Sequence, residues 1–151
     1  LTAAFVDTYA TDIASRSHLY PGLVEALDAL QAAGATLCVC TNKRTNLSVK
    51  LLTELGIAHR FAAIVGADEV KNRKPHPDHY LHAIRAAQGD PARSAMVGDS
   101  INDVLSAKAA GAPVAVYAYG YTDTAPELLG ADAVFTHFTE LPDLLVRLLG
   151  P

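Results

Sequence analysis

Cysteine is scarce: two among 151 residues, Cys38 and Cys40, two positions apart in "TLCVCTN". On a strand such a pair shares one face with little room to bond to each other. No further Cys or His stands nearby at ligand spacing, which speaks against a zinc cage. A buried pair of free thiols in a reducing compartment is expected instead. Long apolar runs are also missing. None approaches the roughly 18 residues that cross a bilayer, and no basic-then-apolar leader opens the chain, so the expectation is a cytoplasmic protein with no membrane partner. Positive charge is neither abundant nor gathered. The net charge is -4 and Lys and Arg are scattered, so nucleic acid is not expected as a partner. There is no low-complexity stretch and no internal repeat.

What is present is a core. Half the residues are hydrophobic, enough for one globular unit at this length. Five short apolar runs read as buried parallel strands: "ATLCVC" (35–40), "AAIVG" (62–66), "AMVG" (95–98), "PVAVYAY" (113–119) and "DAVF" (132–135). Helical spacing separates them. Leu23, Leu27 and Leu30 share a face before Gly34, and Leu47, Leu51, Leu52 and Leu55 share one before Gly56. Tyr80, Ile84 and Ala87 precede Gly89, while Val104, Leu105 and Ala109 precede Gly111. Leu141, Leu144, Leu145 and Leu148 mark the last helix. The alternation predicts an open α/β sheet with right-handed crossovers.

In such sheets ligands sit beyond the carboxyl ends of the strands. Thr41 and Asn42 follow the first apolar run, Lys74 and Pro75 follow the second after a loop, and Gly98, Asp99 and Ser100 follow the third. Hydroxyl, amide, ammonium and carboxylate groups are thus offered to one crevice. Each has a plainer reading: Asp99 could cap a helix in a GDS turn, and Asn102 and Asp103 could serve a helix dipole. His76, His79 and His82 step by three through "HPDHYLH". That step drifts around a helix, and Pro77 opens one, so an exposed helix start is expected rather than a metal stripe.

The segments "VCTNK", "KNRKPHPDHY" and "MVGDSINDVLSAKAAG" resemble, in order and spacing, the second to fourth motifs of the haloacid dehalogenase superfamily. "YPG" (20–22), "KPHP" (74–77) and "GYTDT" (120–124) are similar to the bacterial phosphoglycolate phosphatases within it. The resemblance implies a Rossmann-like α/β core with a parallel sheet and a magnesium-dependent phosphomonoester hydrolase working through an aspartyl-phosphate. It implies Asp99 as the Mg2+ ligand, Asp103 as holder of the metal's water shell or of the lysine, Thr41 and Asn42 as phosphate grips, and Lys74 as the neutralising cation. Dehalogenases lack this Gly-Asp, and phosphoglucomutases carry Glu where Gly98 stands, so "GDSIND" favours a phosphatase. The implied partner is a small phosphorylated metabolite such as 2-phosphoglycolate.

The family's nucleophilic D-x-D-x-T motif is the gap in the resemblance. "AAFVDTYAT" (3–11) offers Asp7 and Thr11 in step, but Tyr9 stands where the second acid belongs. The alternative is an amphipathic helix through Leu1, Phe5, Tyr9 and Ile13, similar to the end of the family's helical cap. On that expectation residues 1–19 are cap tail and linker, 20–151 are the core, and the central strand is missing. The chain then resembles the C-terminal part of a longer protein, inactive alone. A non-catalytic domain binding phosphate or a partner stands as the other reading.

Overall fold

The structure is a computed structural model and describes residues 4–7, 19–120 and 123–150. Six parallel strands form one sheet: β1 (Ala4–Asp7), β2 (Thr36–Cys40), β3 (Ala63–Val65), β4 (Ala95–Gly98), β5 (Val114–Tyr117) and β6 (Ala133–Phe135). Their order is β3-β2-β1-β4-β5-β6. Among the described residues five α-helices connect or flank them: α1 (Leu23–Ala32), α2 (Thr45–Glu54), α3 (Pro77–Ala86), α4 (Ile101–Ala109) and α5 (Leu141–Leu149).

The period of two along each strand sorts the core into two layers. Leu37, Val39, Val97, Ala115 and Tyr117 face one side with Leu23, Leu27 and Leu30 of α1 and Leu141 and Leu145 of α5. Cys38, Cys40, Met96, Val114 and Val116 face the other with Tyr80 and Ile84 of α3 and Val104 of α4. The two cysteines do share a face as free buried thiols. Burying each large aliphatic side chain contributes about 1.5–3 kcal/mol, so the stripe of three leucines on α1 suffices to seat that helix.

The five expected strands are present, each trimmed by a few residues at most. The start of the chain differs from expectation. Residues 4–7 form a strand rather than a helix, and they occupy the central position that was expected to be empty. β1 pairs with β2 through Ala4–Thr36, Phe5–Leu37 and Val6–Cys38, and with β4 through Phe5–Ala95, Val6–Met96 and Asp7–Val97. The physical reason lies in the two flanking edges. Without β1, β2 and β4 each present a row of unpaired backbone groups inside the sheet, and filling that slot satisfies both rows at once. A short run containing Phe5 and Val6 has the propensity to do so. Tyr9, Thr11 and Ile13, and Tyr121 and Thr122 of "GYTDT", lie outside the described residues.

Two helix faces are narrower than their leucine spacing suggests. Leu52 is fully buried on α2 but Leu47 is 50% exposed, and on α4 Val104 is buried while Leu105 is 48% exposed. His79 departs from expectation in the opposite sense: it is completely buried on the inner face of α3, beside Tyr80 and Ala83. Of the three histidines of that segment, His76, the N-cap of α3, and His82 are exposed.

Candidate functional site

Because the strands are parallel, the residues that follow them share one edge of the sheet. Thr41 follows β2, Asp99 follows β4, and β1 ends between them on Asp7. Thr41 is buried; its N–H donates to Val65 O at 3.1 Å, and its Oγ1 accepts the Lys43 N–H at 3.1 Å. That turn of chain presents Asn42 to the loop before α3, where Asn42 Nδ2 donates to Lys74 O at 3.0 Å. The side-chain amide is therefore spent on positioning Lys74, and the backbone N–H of Asn42 is the donor a phosphate could take.

Lys74 runs inward from that loop and is only 4% exposed. Its Nζ donates to Cys40 O at 2.9 Å and to Asp103 Oδ1 at 2.7 Å. The other carboxylate oxygen of Asp103 accepts the N–H groups of Asp99 at 3.0 Å and Ser100 at 3.2 Å, and the Ser100 hydroxyl at 3.2 Å. Ser100 is the N-cap of α4 and forms a capping box with Asp103. Asp103 thus closes the capping box of α4 with one oxygen and pairs with Lys74 through the other. Asp99 is not the cap. It stands one residue earlier, with its side chain buried at the sheet edge.

Electrostatics follow from this packing. Burial by itself would raise the Asp103 pKa, yet the Lys74 charge and hydrogen bonds from Lys74, Asp99 and Ser100 hold it below the usual carboxylate value. The pair is therefore an ion pair across ordinary pH. Cys40 is pushed up to about 12, first by burial, with the Lys74 charge pulling down and Asp103 pushing up. It remains a thiol and is no nucleophile.

Two glycines make the corner possible. A Cβ on Gly98 would lie 2.2 Å from Asp103 Oδ2 and 2.4 Å from its Cγ, so only glycine lets the carboxylate fold over the end of β4. A Cβ on Gly66 would lie 2.3 Å from Thr45 N and 2.5 Å from Lys43 O. The loop after β3 consequently docks against the loop after β2: Gly66 N–H donates to Thr45 Oγ1, Ala67 N–H to Lys43 O, and Thr45 N–H to Asp68 Oδ1 at 2.7 Å. Asp68 is held below its usual pKa chiefly by that backbone bond. Sequence reading missed this brace; the glycine directly after a β-branched strand in "IVGADE" was its only signal.

The sequence pattern of the haloacid dehalogenase-like hydrolases matches residues 1–111, a span that includes the edge carrying Thr41, Lys74, Asp99 and Asp103. The chain belongs to this family. A phosphoglycolate phosphatase of Caulobacter vibrioides is 44% identical over 149 residues, which cover 99% of this chain and 63% of that protein. A predicted phosphoglycolate phosphatase structure from Haemophilus somnus superposes with a TM-score of 0.79 at 34% identity, covering 84% of this chain and 57% of that one. CbbY from Rhodobacter sphaeroides, solved in complex with phosphate, superposes with a TM-score of 0.73 at 29% identity, covering 87% and 60%. This haloacid dehalogenase-like chain therefore spans roughly three-fifths of the length of these relatives.

Within this member of the family, Asp99 is the residue at the edge that could hold a metal ion. Among the described residues no group of three or more His, Cys, Asp or Glu side chains converges, as a closed cage would require. A buried aspartate at the edge, with a second carboxylate engaged beside it, instead fits Mg2+, which binds through one or two carboxylates and retains waters. A groove of about 560 Å³ runs from Asn42 along α2, lined also by Lys43, Arg44, Leu47, Lys50, Leu51 and Glu54. Among the described residues no helix is long and apolar enough to cross a membrane.

Proposed function

We propose that this edge is the phosphate- and metal-binding site of a magnesium-dependent phosphomonoester hydrolase acting on a small phosphorylated acid, 2-phosphoglycolate being the first candidate. The observation that carries the reading is the buried Lys74 ammonium, fixed 2.7 Å from Asp103 at the edge where Thr41 and Asp99 emerge. A cation so placed is set in advance and need not reorganise when charge develops on a phosphoryl group. The phosphoglycolate phosphatases to which the chain is similar support the substrate class, and so does the groove at Asn42, where Lys43, Arg44 and Lys50 outnumber the single acid Glu54. A carboxylate two atoms from the phosphoester oxygen could reach Lys43 or Arg44.

In this mechanism Thr41 Oγ1 and the Asn42 N–H grip the phosphate oxygens while Lys74 offsets their charge. Asp103 pairs with Lys74 and directs its Nζ. Asp99 would hold Mg2+, which supplies further positive charge against the transferring oxygens. Asp7 is the one carboxylate whose backbone stands at the end of the central strand, in register with Val97, so it is the residue to test as nucleophile. Tyr9, two positions on, offers no carboxylate for proton transfer, and that help is worth about 10² to 10⁴ in rate.

The expected behaviour of the 151-residue chain is therefore saturable binding of orthophosphate, tightened by Mg2+, without measurable turnover of 2-phosphoglycolate. Asp99→Asn should remove the Mg2+ dependence of binding. Binding indifferent to Mg2+ would overturn the metal assignment. Turnover that disappears in Asp7→Asn would overturn the expected inactivity and make Asp7 the nucleophile.

A further inference from the structure

The position of Lys74 depends on a residue that the phosphate site does not itself use. Both backbone polar atoms of Lys74 are held by side chains from elsewhere. Its carbonyl accepts from Asn42 Nδ2. Its N–H donates to His79 Nδ1 at 3.2 Å, in a fully buried contact. The opposite ring nitrogen, His79 Nε2, lies 3.2 Å from Val65 O, at the end of β3. A carbonyl can only accept, so Nε2 carries the ring proton and Nδ1 is the bare acceptor. The imidazole is thus a rigid spacer between the last residue of β3 and the backbone of Lys74. A third tie, from Ser106 Oγ of α4 to His76 O at 2.9 Å, fixes the same loop two residues on.

We propose that His79 is a positioning residue for the phosphate site: through its Nδ1 it sets where the Lys74 backbone lies, and so where the ammonium meets the strand edge. The proposal rests on the reading of Lys74 as the phosphate's cation. Burial, with a further push from the Lys74 charge, lowers the His79 pKa to about 4, so the acceptor persists across ordinary pH. A protonated ring would set an N–H against the Lys74 N–H.

Two substitutions separate positioning from mere core filling, because each keeps one of the two bonds. Asparagine places Oδ1 where Nδ1 stands and so retains the acceptor for Lys74. Glutamine places its NH₂ near Nε2 and retains the donor to Val65 but not that acceptor. Orthophosphate affinity is measured by calorimetry for the full chain and for His79→Asn, His79→Gln and Lys74→Met, alongside melting temperatures. His79→Gln should weaken phosphate binding about three- to tenfold and Lys74→Met at least about tenfold, while His79→Asn stays within about twofold of the parent chain. Equal losses in the two His79 variants, or parent-like binding in His79→Gln with binding lost in Lys74→Met, would overturn the positioning role and leave the site standing. Parent-like binding in Lys74→Met would overturn the site reading and the proposal with it. The ¹⁵N spectrum of the His79 ring in the unmodified chain needs no variant to fold: it should show a bare Nδ1 and a protonated Nε2 at neutral pH, and a protonated Nδ1 would overturn the proposal directly.

Discussion

Replacing Gly98 with Ala adds one methyl group where there is no room for it. Its carbon would lie 2.2 Å from Asp103 Oδ2, and ordinary contact begins at 3.4 Å, so the carboxylate must retreat by about 1.2 Å. Asp103 has little freedom to do so, since Lys74 Nζ holds one oxygen and Asp99 N–H, Ser100 N–H and Ser100 Oγ hold the other. Removing one partner of a buried ion pair costs about 3–5 kcal/mol; displacing it part-way should cost roughly 2–4 kcal/mol. At about 2–4 °C per kcal/mol for a chain of this size, the melting temperature should fall by roughly 5–15 °C. Urea unfolding of the parent, Gly98→Ala, Asp103→Ala and the double variant gives a complete cycle. Truncating Asp103 removes the oxygen and Cγ contacts but leaves its Cβ 2.7 Å from the added methyl, so Gly98→Ala should cost clearly less on the Asp103→Ala background than on the parent. Additive losses within about 0.5 kcal/mol, or a Gly98→Ala variant as stable as the parent, would refute the proposed contact between Gly98 and Asp103.

Stability should also depend on pH through His79. Its folded pKa of about 4 lies below the ordinary 6.5, chiefly because of burial, so the unfolded chain binds the extra proton first and stability must fall as pH drops from 6.5 towards 4. The full loss is about 3 kcal/mol, read from urea midpoints across that range. A flat profile that matches His79→Asn would contradict it. Tyr80→Phe removes the buried hydroxyl that meets Ser94 Oγ at 2.6 Å and should cost about 1 kcal/mol with phosphate binding unchanged; a large loss of phosphate affinity would couple that bond to the site. Arg44→Ala, on the groove beside Asn42, should weaken binding of 2-phosphoglycolate several-fold while leaving orthophosphate unaffected. Equal weakening of both would remove Arg44 from carboxylate recognition.

Much of the sheet was legible because fully buried parallel strands leave a plain mark. "AMVG" and "TLCVC" are short, apolar and end where polar residues begin. Thr41, Lys74, Asp99 and Asp103 could be placed at one edge because parallel strands leave no other place for the residues that follow them. β1 was not legible. Its Phe5-Val6 core is too short to establish a period, and only the vacant hydrogen bonds of β2 and β4, a tertiary circumstance, select strand over helix. Leu47 and Leu105 misled for a related reason. Leucine at helical spacing shows where a face could form, but neighbouring elements decide how wide a face they cover. His79 was misjudged because three histidines at equal steps look alike in sequence, while the first stands outside the helix as its cap and the second, three residues on, falls on the inward face. The brace between Thr45 and Asp68 joins residues 23 apart, and no local pattern announces such a pairing.

Phosphate and Mg2+ are expected to bind together where β2 and β4 end. A crystal structure of the chain grown with Mg2+ and tungstate, an anomalously scattering stand-in for phosphate, tests it most directly. The anion should lie within hydrogen-bond distance of Thr41 Oγ1, the Asn42 N–H and Lys74 Nζ, with the metal on a carboxylate oxygen of Asp99. Tungstate bound elsewhere while this edge stays empty, or a metal held without Asp99, would contradict it.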